Sequence, residues 1–364
     1  MGAPGHSQRA RCAHGRCRRR AARPAGAAPP RGCLRMSRRN STALITGATG
    51  QDGVYLVQLL RAEGVRVVGT HRPGSPAAHA MSPYLGGVTL VPLDLRDHRG
   101  FTDLVRDLRP DEVYNLAAFS SVGASWDDPE TAMELNARAP AAMLKALELL
   151  PATRFLQAGS AEETGPAATS PYALGKAQAR EAVVLARDQG RYCVDAVLHM
   201  HESPLRRPTF VVRKITRAAV EIALGLRDRL ALGRVDIRRD WGAAADHVRA
   251  MPLMLRADQA ADHVVATGAV HSLRDVVDMA FEAAGVGNPW DRIDINAARA
   301  RPMDARELVG DPRPIREALG WQAITTLERT IAHMVEVDRR RLQSGVEEDQ
   351  TYLALSSSGR TAMQ

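Results

Sequence analysis

The chain has 364 residues, of which 45% are hydrophobic and 25% charged, which is enough for a sizeable core in one large or two smaller domains. No apolar run reaches the ~18 residues that a membrane helix needs, so we expect a soluble protein without a membrane partner. The net charge of +8 arises in residues 1–39, which hold eleven Arg and no acid. The remainder carries 38 basic and 41 acidic residues, so its charge does not suggest a nucleic-acid partner.

Residues 1–39 are rich in Ala, Pro and Gly as well as Arg, and we expect this extension to be disordered. Three interpretations compete: an arm that binds nucleic acid or a membrane surface, a transit peptide, and an over-long start with Met36 opening the functional chain. Few serines and several prolines weigh against the transit peptide, and no apolar core suggests a secretory signal. We favour the over-long start.

Cysteine usage indicates a reducing compartment. Cys12, Cys17 and Cys33 lie in the extension, and only Cys193 lies in the folded part, within an apolar strand. We therefore expect Cys193 to be a buried structural thiol, with no disulfide framework and no metal site, and the protein to be cytoplasmic.

A strand, a glycine turn and a helix open the folded part. Residues 43–45 are apolar, Gly47, Gly50 and Gly53 follow at a spacing of three, and an amphipathic stretch covers 54–60. Glycines let the backbone turn sharply and approach a phosphate, and a helix start offers N–H groups to an anion. A plain structural turn is the alternative, but the strand before and the helix after favour a bound dinucleotide.

The end of the second strand bears on which dinucleotide binds. Residues 65–70 read as this strand, and NAD-binding proteins carry an acid at its end for the ribose hydroxyls. Arg72 stands there instead, which suits the 2′-phosphate of NADP, although a solvated loop arginine is the alternative. Asp94 and Leu95 follow the third strand, 88–93, where a doubly wound sheet faces the adenine.

Strands and helices alternate through the rest of the first domain, as in a parallel sheet with right-handed crossovers. We predict further strands at 111–118, 154–157 and 194–198 and helices at 98–109 and 131–150. After His201 a helix at 213–226 and a short strand at 230–233 begin a substrate domain, and 264–268 should return to the first domain. The prediction is an α/β fold: a Rossmann-type doubly wound parallel sheet with a smaller C-terminal α/β substrate domain.

The predicted domain bounds follow these elements. They are a disordered extension at 1–39, a cofactor-binding domain at 40–200, a substrate domain interleaved with it at 201–340, and a polar, Ser-rich flexible tail at 341–364.

A catalytic pair lies in the stretch 158–176. Ser170 and Pro171 form a typical helix start, which places Tyr172 and Lys176 on one helical face. A free tyrosine has a pKa near ~10, and a lysine ammonium one turn away favours its phenolate form. Such a tyrosine can take a hydroxyl proton while hydride leaves the same carbon for a nicotinamide. A chance surface pair is the alternative, but the preceding strand end at Gly159 and Ser160 favours catalysis.

These motifs resemble those of the extended short-chain dehydrogenases/reductases, and several longer segments resemble the GDP-mannose 4,6-dehydratases. The resemblance covers about residues 42–340. It is carried by Thr-Gly-Ala-Thr-Gly-Gln-Asp-Gly (46–53), Arg-Pro-Asp-Glu-Val-Tyr-Asn-Leu-Ala-Ala (109–118), His-Glu-Ser-Pro-Leu-Arg-Arg (201–207), Phe-Val-Val-Arg-Lys-Ile-Thr-Arg (210–217), Arg-Asp-Trp-Gly (239–242), Ala-Thr-Gly (266–268) and Arg-Pro-Met-Asp (301–304).

The resemblance implies a lyase reaction without net redox change, on GDP-mannose or a close nucleotide sugar. NADP takes hydride from C4, a carboxylate removes the C5 proton, water leaves from C6, and the hydride returns to C6. By position, Ser160 matches the residue that holds the C4 oxygen, Glu162 the base at C5, Tyr172 the base at the C4 hydroxyl, and Lys176 its partner.

The resemblance also implies two sets of binding residues. Those expected to contact the cofactor are Gly47, Thr49, Gly50, Gln51, Asp52, Gly53, Arg72, Asp94, Leu95, Leu116, Ala117, Ala118, Tyr172, Lys176, His201 and Arg207. Those expected to contact the nucleotide sugar are Ser121, Glu202, Arg213, Lys214, Arg239, Arg301 and Asp304. The arginines and the lysine suit a diphosphate, which calls for several forked donors. The family further implies a homodimer or homotetramer, with helices from 98–109 and 131–185 at the dimer contact.

This chain departs from the family pattern in several ways. Glu163 follows Glu162 directly, which leaves the base open between them, and Tyr172 lies only ten residues after Glu162, about half the family's spacing. Met200 replaces an asparagine, and Asp304 replaces a glutamate. The run Gly-Ser-Ala-Glu-Glu also resembles the related reductases. An NADPH-dependent reductase or epimerase, or a catalytically silent binding protein, therefore stays as the alternative.

Overall fold

Seven short strands with mostly buried side chains form one parallel sheet in the computed structural model, which describes residues 1–2, 41–164, 169–296 and 307–354. The strands are β1 Thr42–Thr46, β2 Arg66–His71, β3 Thr89–Pro92, β4 Glu112–Asn115, β5 Arg154–Ala158, β6 Cys193–Leu198 and β11 His263–Val265. Their order across the sheet is β11-β6-β5-β4-β1-β2-β3, and every neighbouring pair is parallel.

Helices cover both faces of this sheet, since each apolar stripe needs a partner to exclude water. These helices are α1 Gln51–Ala62, α2 Ala77–Ala80, α3 His98–Leu108, α4 Pro129–Met133, α5 Ala139–Ala146, α6 Pro171–Asp188 and α8 Ala244–Leu255. One face of the sheet packs against the apolar sides of α1 and α8, and the other against those of α3, α5 and α6.

The predicted strands and helices of the first domain are confirmed, with shifted ends. The strand predicted at 111–118 ends at Asn115, and residues 116–118 continue as loop. The helix predicted at 131–150 starts at Pro129, because Asp128 caps it by accepting from the Thr131 N–H at 3.2 Å. A π-helical turn at Glu134–Arg138 separates α4 from α5.

The second part of the chain consists of β7 Met200–Glu202, α7 Val211–Ala223, β8 Leu230–Leu232, β9 Arg238–Arg239, β10 Trp241–Ala243, β12 His271–Ser272, α9 Leu273–Ala284, β13 Ile293–Ile295, β14 Glu307–Leu308 and α11 Leu327–Ser344. A second hydrophobic core lies among α7, α9 and α11, which pack on one another, and two small sheets. The predicted helix at 213–226 is α7, and the predicted strand at 230–233 is β8. Helix α10 Arg313–Leu319 packs instead on β11 of the main sheet and adds Ile315 to the first core.

The chain returns to the first sheet after residue 243. Helix α8 packs on α1, and β11 pairs with β6, so the segment predicted to return at 264–268 supplies the edge strand of the main sheet. All described residues from 41 onward belong to one unit, Arg38–Gln364. None of the helices in the described part of the chain has the length and apolar character that a bilayer crossing requires.

The sequence predicts a flexible tail from residue 341, and this prediction is wrong for residues 341–354. Arg341 is 1% exposed and Tyr352 is 2% exposed. Arg341 pairs with Glu348 at 2.9 Å, and the Tyr84 hydroxyl donates to the same carboxylate at 2.7 Å. This segment is tied down by partners far away in the sequence, which its polar composition does not reveal.

Several sequence-based expectations fall outside the described residues. They concern the extension from residue 3 to 40 with its three cysteines, the short segment 165–168, Arg301 and Asp304, and the last ten residues. Cys193 is a free, fully buried thiol in β6, as predicted.

Candidate active site

The carboxyl ends of β1, β4, β5 and β6 meet where the sheet changes direction. The chain runs from β1 to β2 and β3 on one side, and from β4 to β5 and β6 on the other. In doubly wound sheets, ligands bind in the crevice at this switch point. The segments that follow these strands carry most of the predicted site residues.

The glycine turn is shaped by contacts that leave no room for a side chain. Gly47 has φ +70°, and a Cβ added there would lie 2.9 Å from the backbone of Ala117. A Cβ on Gly53 would strike the Gly47 carbonyl oxygen and lie 2.7 Å from the Ala48 Cα. Gly50 begins α1 without a side-chain cap. Strand, turn and helix thus form the cradle that a dinucleotide phosphate requires.

The segment 116–118 borders this turn on the β4 side. Its backbone is fixed because the Ala117 N–H donates to Thr46 Oγ1 at 3.2 Å, and Thr46 in turn donates to Asn115 Oδ1 at 2.5 Å. The predicted cofactor residues Leu116, Ala117 and Ala118 are half-buried here, as is Thr49 in the turn.

Gln51 and Asp52 connect the turn to the chain that follows β6. The Asp52 carboxylate lies 2.9 Å from His201 Nε2, while Gln51 donates to the His201 carbonyl at 3.2 Å and accepts from Ser203 Oγ at 2.8 Å. Burial alone would raise the pKa of Asp52, but His201 and Gln51 lower it to about 2. Burial opposes the charge on His201, yet Asp52 outweighs it and raises the His201 pKa above its usual 6.5.

The ends of β2 and β3 carry the residues expected at the adenosine. Arg72 is exposed just after β2, and its positive charge contributes to the low pKa of Asp94, about 2, whose largest cause is the hydrogen bond from Arg96. Arg96 binds Asp94 through two nitrogens, at 2.9 and 2.5 Å. Leu95 is buried beside them.

The turn after β5 separates the two adjacent glutamates. Ser160 starts a short helical turn, and its hydroxyl accepts from the Glu162 N–H at 3.2 Å. The Glu163 carboxylate turns inward and accepts from the Ser160 N–H at 2.9 Å, with its side chain fully buried. Glu162 stays half-buried. This reciprocal capping gives the two acids different surroundings.

Tyr172 and Lys176 lie in the first turns of α6, which Ser170 caps and Pro171 opens as predicted. The Tyr172 side chain hydrogen-bonds with Ser160, and Lys176 Nζ lies 6.0 Å from the centre of the Tyr172 ring. Lys176 is 4% exposed and donates to the Ala158 carbonyl at 2.7 Å.

The pKa of Tyr172 lies above that of free tyrosine in this structure, which is opposite in direction to the shift expected from a neighbouring lysine. Burial raises the Tyr172 pKa to about 12, and the carboxylates of Glu162 and Glu163 add to that rise. Burial also lowers the pKa of the Lys176 ammonium, against the opposing effect of nearby carboxylates. The phenol is therefore a weaker acid than free tyrosine.

One of the predicted substrate residues, Arg213, has all its contacts inside the protein. Arg213 is 3% exposed and pairs with Asp338 at 2.6 Å, with further bonds to the carbonyls of Pro204 and Arg206. This internal ion pair differs from the diphosphate contact expected of Arg213, because its donors already have partners inside the protein.

The other described substrate candidates lie on separate elements, and two of them, Arg239 and Glu202, are as buried as Arg213. Lys214 donates to the Ala231 carbonyl at 2.7 Å, and Arg239 is buried on β9. In the loop after β4, the Ser121 hydroxyl accepts from the Ala124 N–H at 3.2 Å. Glu202 is 2% exposed and lies 3.4 Å from Arg206.

Arg206 reaches the site although the sequence pointed to its neighbour. Arg207 is exposed, whereas Arg206 stacks on Phe210 at 3.9 Å and its charge acts on Asp52 and Tyr172. Two adjacent arginines carry no periodicity that distinguishes them, so only the fold separates their surroundings.

Asn136 and His247 also support the site and were not predicted. Asn136 lies in the π-helical turn, where it accepts from the Phe119 N–H at 2.8 Å and donates to the Phe119 carbonyl at 3.1 Å. His247 stacks on His201 at 4.7 Å. A buried asparagine within an Ala- and Leu-rich helix was the available signal for the first residue.

Comparison with known proteins agrees with this architecture. The family model described as GDP-mannose 4,6 dehydratase matches residues 44–334. The GDP-mannose 4,6-dehydratase of Yersinia enterocolitica is 37% identical over 349 residues, covering 81% of this chain and 93% of its own. GDP-mannose 4,6 dehydratase 1 of Arabidopsis thaliana is 36% identical over 322 residues, covering 81% and 89%.

Solved structures share the fold. The UDP-glucose 4-epimerase of Thermus thermophilus, solved in complex with NAD, superposes with a TM-score of 0.69 at 25% identity, covering 82% of this chain and 99% of its own. The UDP-glucose 4-epimerase of Thermotoga maritima, solved with UDP-glucose, gives a TM-score of 0.74 at 20% identity, covering 83% and 99%.

Among residues 41–164, 169–296 and 307–354, no group of three His, Cys, Asp or Glu side chains is arranged to hold a metal ion.

The family assignment follows from the glycine cradle, from the Tyr172–Lys176 pair on α6 and from the extent of these matches. The chain belongs to the GDP-mannose 4,6-dehydratase family.

Proposed function

We propose that the protein is a lyase that converts GDP-mannose into GDP-4-keto-6-deoxymannose, with NADP as its cofactor. The observation that carries this proposal is the capped turn after β5. It buries Glu163 and leaves Glu162 half-buried near Tyr172, so that a base and a phenol flank one site. A reductase or epimerase needs only the Tyr172–Lys176 pair, whereas elimination of water needs the additional carboxylate.

The residues at the switch point fit a nicotinamide dinucleotide. Side chains at positions 47 and 53 would fill the cradle at the start of α1, which supports close passage of a diphosphate there. Arg72, exposed after β2 with no acid beside it in the sequence, supports the 2′-phosphate of NADP. The glycine turn and the segment after β6 would line the cofactor together, because Gln51 and Asp52 of the turn bind His201.

When bound, NADP supplies a hydride acceptor and donor together with positive charge on its oxidised ring. The chain's own residues would then move the protons. Tyr172 would take the proton of the C4 hydroxyl, with Ser160 bonded to the same oxygen and Lys176 stabilising the phenolate. Since the Tyr172 pKa is about 12, its proton transfer depends on positive charge near the phenol.

Glu162 would act in the second half of the reaction. A ketone at C4 acidifies the C5 proton, which Glu162 would remove and pass to the departing C6 hydroxyl, so that water leaves and a C5–C6 double bond forms. Return of hydride to C6 and of a proton to C5 completes the 4-keto-6-deoxy sugar, so the reaction has no net redox change.

For the nucleotide we propose Lys214, Arg239, Ser121 and Glu202, together with Arg301 and Asp304. Lys214 lies on α7 and Arg239 on β9, and a diphosphate suits forked, multi-donor binding. Arg213 is not among the proposed nucleotide contacts, because it forms an internal ion pair with Asp338.

For the assembly we propose a homodimer or homotetramer that pairs α6 and the helical run at 129–149 with a second copy. Leu174 and Leu185 on α6 are 45% and 62% exposed, and Leu149 is 59% exposed, which supports an apolar contact there. We propose a cytoplasmic location, in keeping with the free thiol of Cys193.

The deciding experiment incubates the purified protein with GDP-mannose and NADP in D₂O. We expect a 4-keto-6-deoxy product with deuterium at C5 and no net consumption of the cofactor. Glu162→Gln should abolish elimination and keep cofactor affinity, while Glu317→Gln, an exposed carboxylate on α10, should leave turnover unchanged. Net oxidation of added NADPH would instead indicate a reductase, and bound NADP without any product would indicate a silent homologue.

A further inference from the structure

Two carboxyl groups lie side by side behind the capped turn after β5, which holds Ser160 and Glu162. Asp195 on β6 is fully buried, and Glu163 is 5% exposed. The two carboxyl groups lie within hydrogen-bonding range of each other. A Cβ added to Gly159 would collide with the Asp195 carboxylate, so this group lies directly against the backbone that leads to Ser160. The proposed reaction uses neither acid.

The hydrogen bonds of this pair are incomplete if both groups are ionised. Glu163 Oε2 accepts from the Ser160 N–H at 2.9 Å, but Glu163 Oε1 and both Asp195 carboxylate oxygens have no donor among the described residues. Buried polar atoms are nearly always paired. A proton on Asp195 would supply the missing donor and turn the contact into a carboxyl–carboxylate hydrogen bond.

The charged groups around Glu163 and Asp195 favour a total charge of −1 on the pair over a charge of −2. Lys176 and Arg180 on α6 face it, with Arg180 Nη1 3.9 Å from Glu163 Oε1. Asp262, before β11, adds a further carboxylate on the Asp195 side, although Arg187 pairs with it at 2.6 Å. Toward the substrate side lie the Glu162 carboxylate and the Tyr172 phenol. Two like charges at hydrogen-bond distance in the interior cannot both persist.

We propose that Glu163 and Asp195 share a single proton and together act as positioning residues for Ser160 and Lys176. The shared proton keeps the pair at one negative charge, which clamps the Ser160 backbone and offsets the Lys176 ammonium. Burial, reinforced by the neighbouring acid, raises the pKa of Asp195 well above its usual range, which assigns the proton mainly to Asp195. Burial also raises the pKa of Glu163, whose bond from Ser160 and nearby cations oppose the rise.

Loss of the proton at alkaline pH would place two negative charges against Gly159. The turn that holds Ser160 and Glu162 would then shift, and turnover would fall. This inference rests on the proposed function only through turnover, because the shared proton can be observed without any substrate.

Infrared spectroscopy of the full-length protein tests the proton directly. At pH 8, where exposed carboxylates are ionised, we expect the carbonyl band of a protonated carboxylic acid. The band should shift when aspartate is labelled with ¹³C and disappear in Asp195→Asn. Glu317→Gln, an exposed carboxyl variant on α10, should keep it. Absence of a label-sensitive aspartic acid band from the wild-type protein would overturn the proposal, whether or not the variants fold.

Kinetics test the positioning role. Asp195→Asn keeps a donor to Glu163 but has no proton to lose, so its kcat at pH 7 should stay within about threefold and its alkaline limb should move to higher pH. Glu163→Gln should behave similarly, since Asp195 can then carry the charge. The double variant removes the negative charge, and its kcat should fall about tenfold with little change in KM. An alkaline limb that is identical in wild type and Asp195→Asn would refute the role.

Discussion

The ion pair between Asp52 and His201 predicts a specific pH dependence of stability. The pair joins the glycine turn to the segment after β6, over 2.9 Å, with the Asp52 side chain 21% exposed. Despite burial, the pKa of Asp52 falls from 3.8 to about 2, which corresponds to roughly 2 kcal/mol at ~1.36 kcal/mol per unit. Asp52→Asn should therefore lower the free energy of unfolding by about 2 kcal/mol near neutral pH.

The sign of the pH dependence follows from the two shifts. The Asp52 pKa is lower in the folded state, so its contribution is present above pH 3.8 and is lost as pH falls toward 2. The His201 pKa is higher in the folded state, so its contribution is present below pH 6.5 and is lost as pH rises through the folded value. The pair stabilises most between these limits.

Urea unfolding of wild type and Asp52→Asn at pH 6 and pH 9 checks this reasoning. The loss caused by the substitution should be about 2 kcal/mol at pH 6 and smaller at pH 9, where less of His201 is protonated. Asp103→Asn, which breaks an exposed contact with Arg106, should stay within about 0.5 kcal/mol at both pH values. An equal loss at pH 6 and pH 9 would refute the assignment of the charge pair.

Three further substitutions test other parts of the structure. Gly53→Ala should destabilise by ~1–3 kcal/mol, because its methyl group would strike the turn backbone, whereas Gly86→Ala has nothing within 4 Å and should be neutral in the same urea titration. Arg213→Ala should cost about 3 kcal/mol, because the buried Asp338 would keep only Thr216 at 2.9 Å and Arg341 at 3.5 Å, while Arg229→Ala, which breaks an exposed pair, should change stability little; equal effects would contradict the internal role of Arg213. Arg72→Ala should weaken NADP binding about 10–100-fold and leave NAD binding unchanged in fluorescence titrations, and an equal loss for both would argue against the 2′-phosphate contact.

Local patterns in the sequence were sufficient for the main elements and for the catalytic helix. The run 43–60 encodes strand, turn and helix because apolar periodicity and glycine spacing act within a few residues. Ser170 and Pro171 encode the start of α6, and helical spacing then places Tyr172 and Lys176 on one face. These features depend on neighbours in the chain, so the sequence alone carries them.

The partners of charged groups were decided only by the tertiary structure. Nothing local distinguishes Glu162 from Glu163 or Arg206 from Arg207, yet the fold buries Glu163 against Asp195 and turns Arg206 toward the site. Arg213 finds Asp338, which lies 125 residues away. Such contacts depend on which distant segment packs alongside, and a sequence pattern does not specify that.

The pKa of the catalytic tyrosine shows the same division. The spacing of Tyr172 and Lys176 predicted a stabilised phenolate, and the folded protein instead raises the Tyr172 pKa to about 12. Helix periodicity determined that the two side chains are neighbours. Burial and the two carboxylates of the preceding turn, which come from a different strand end, determined the balance of charge, because electrostatic energies depend on all groups that surround a site in space.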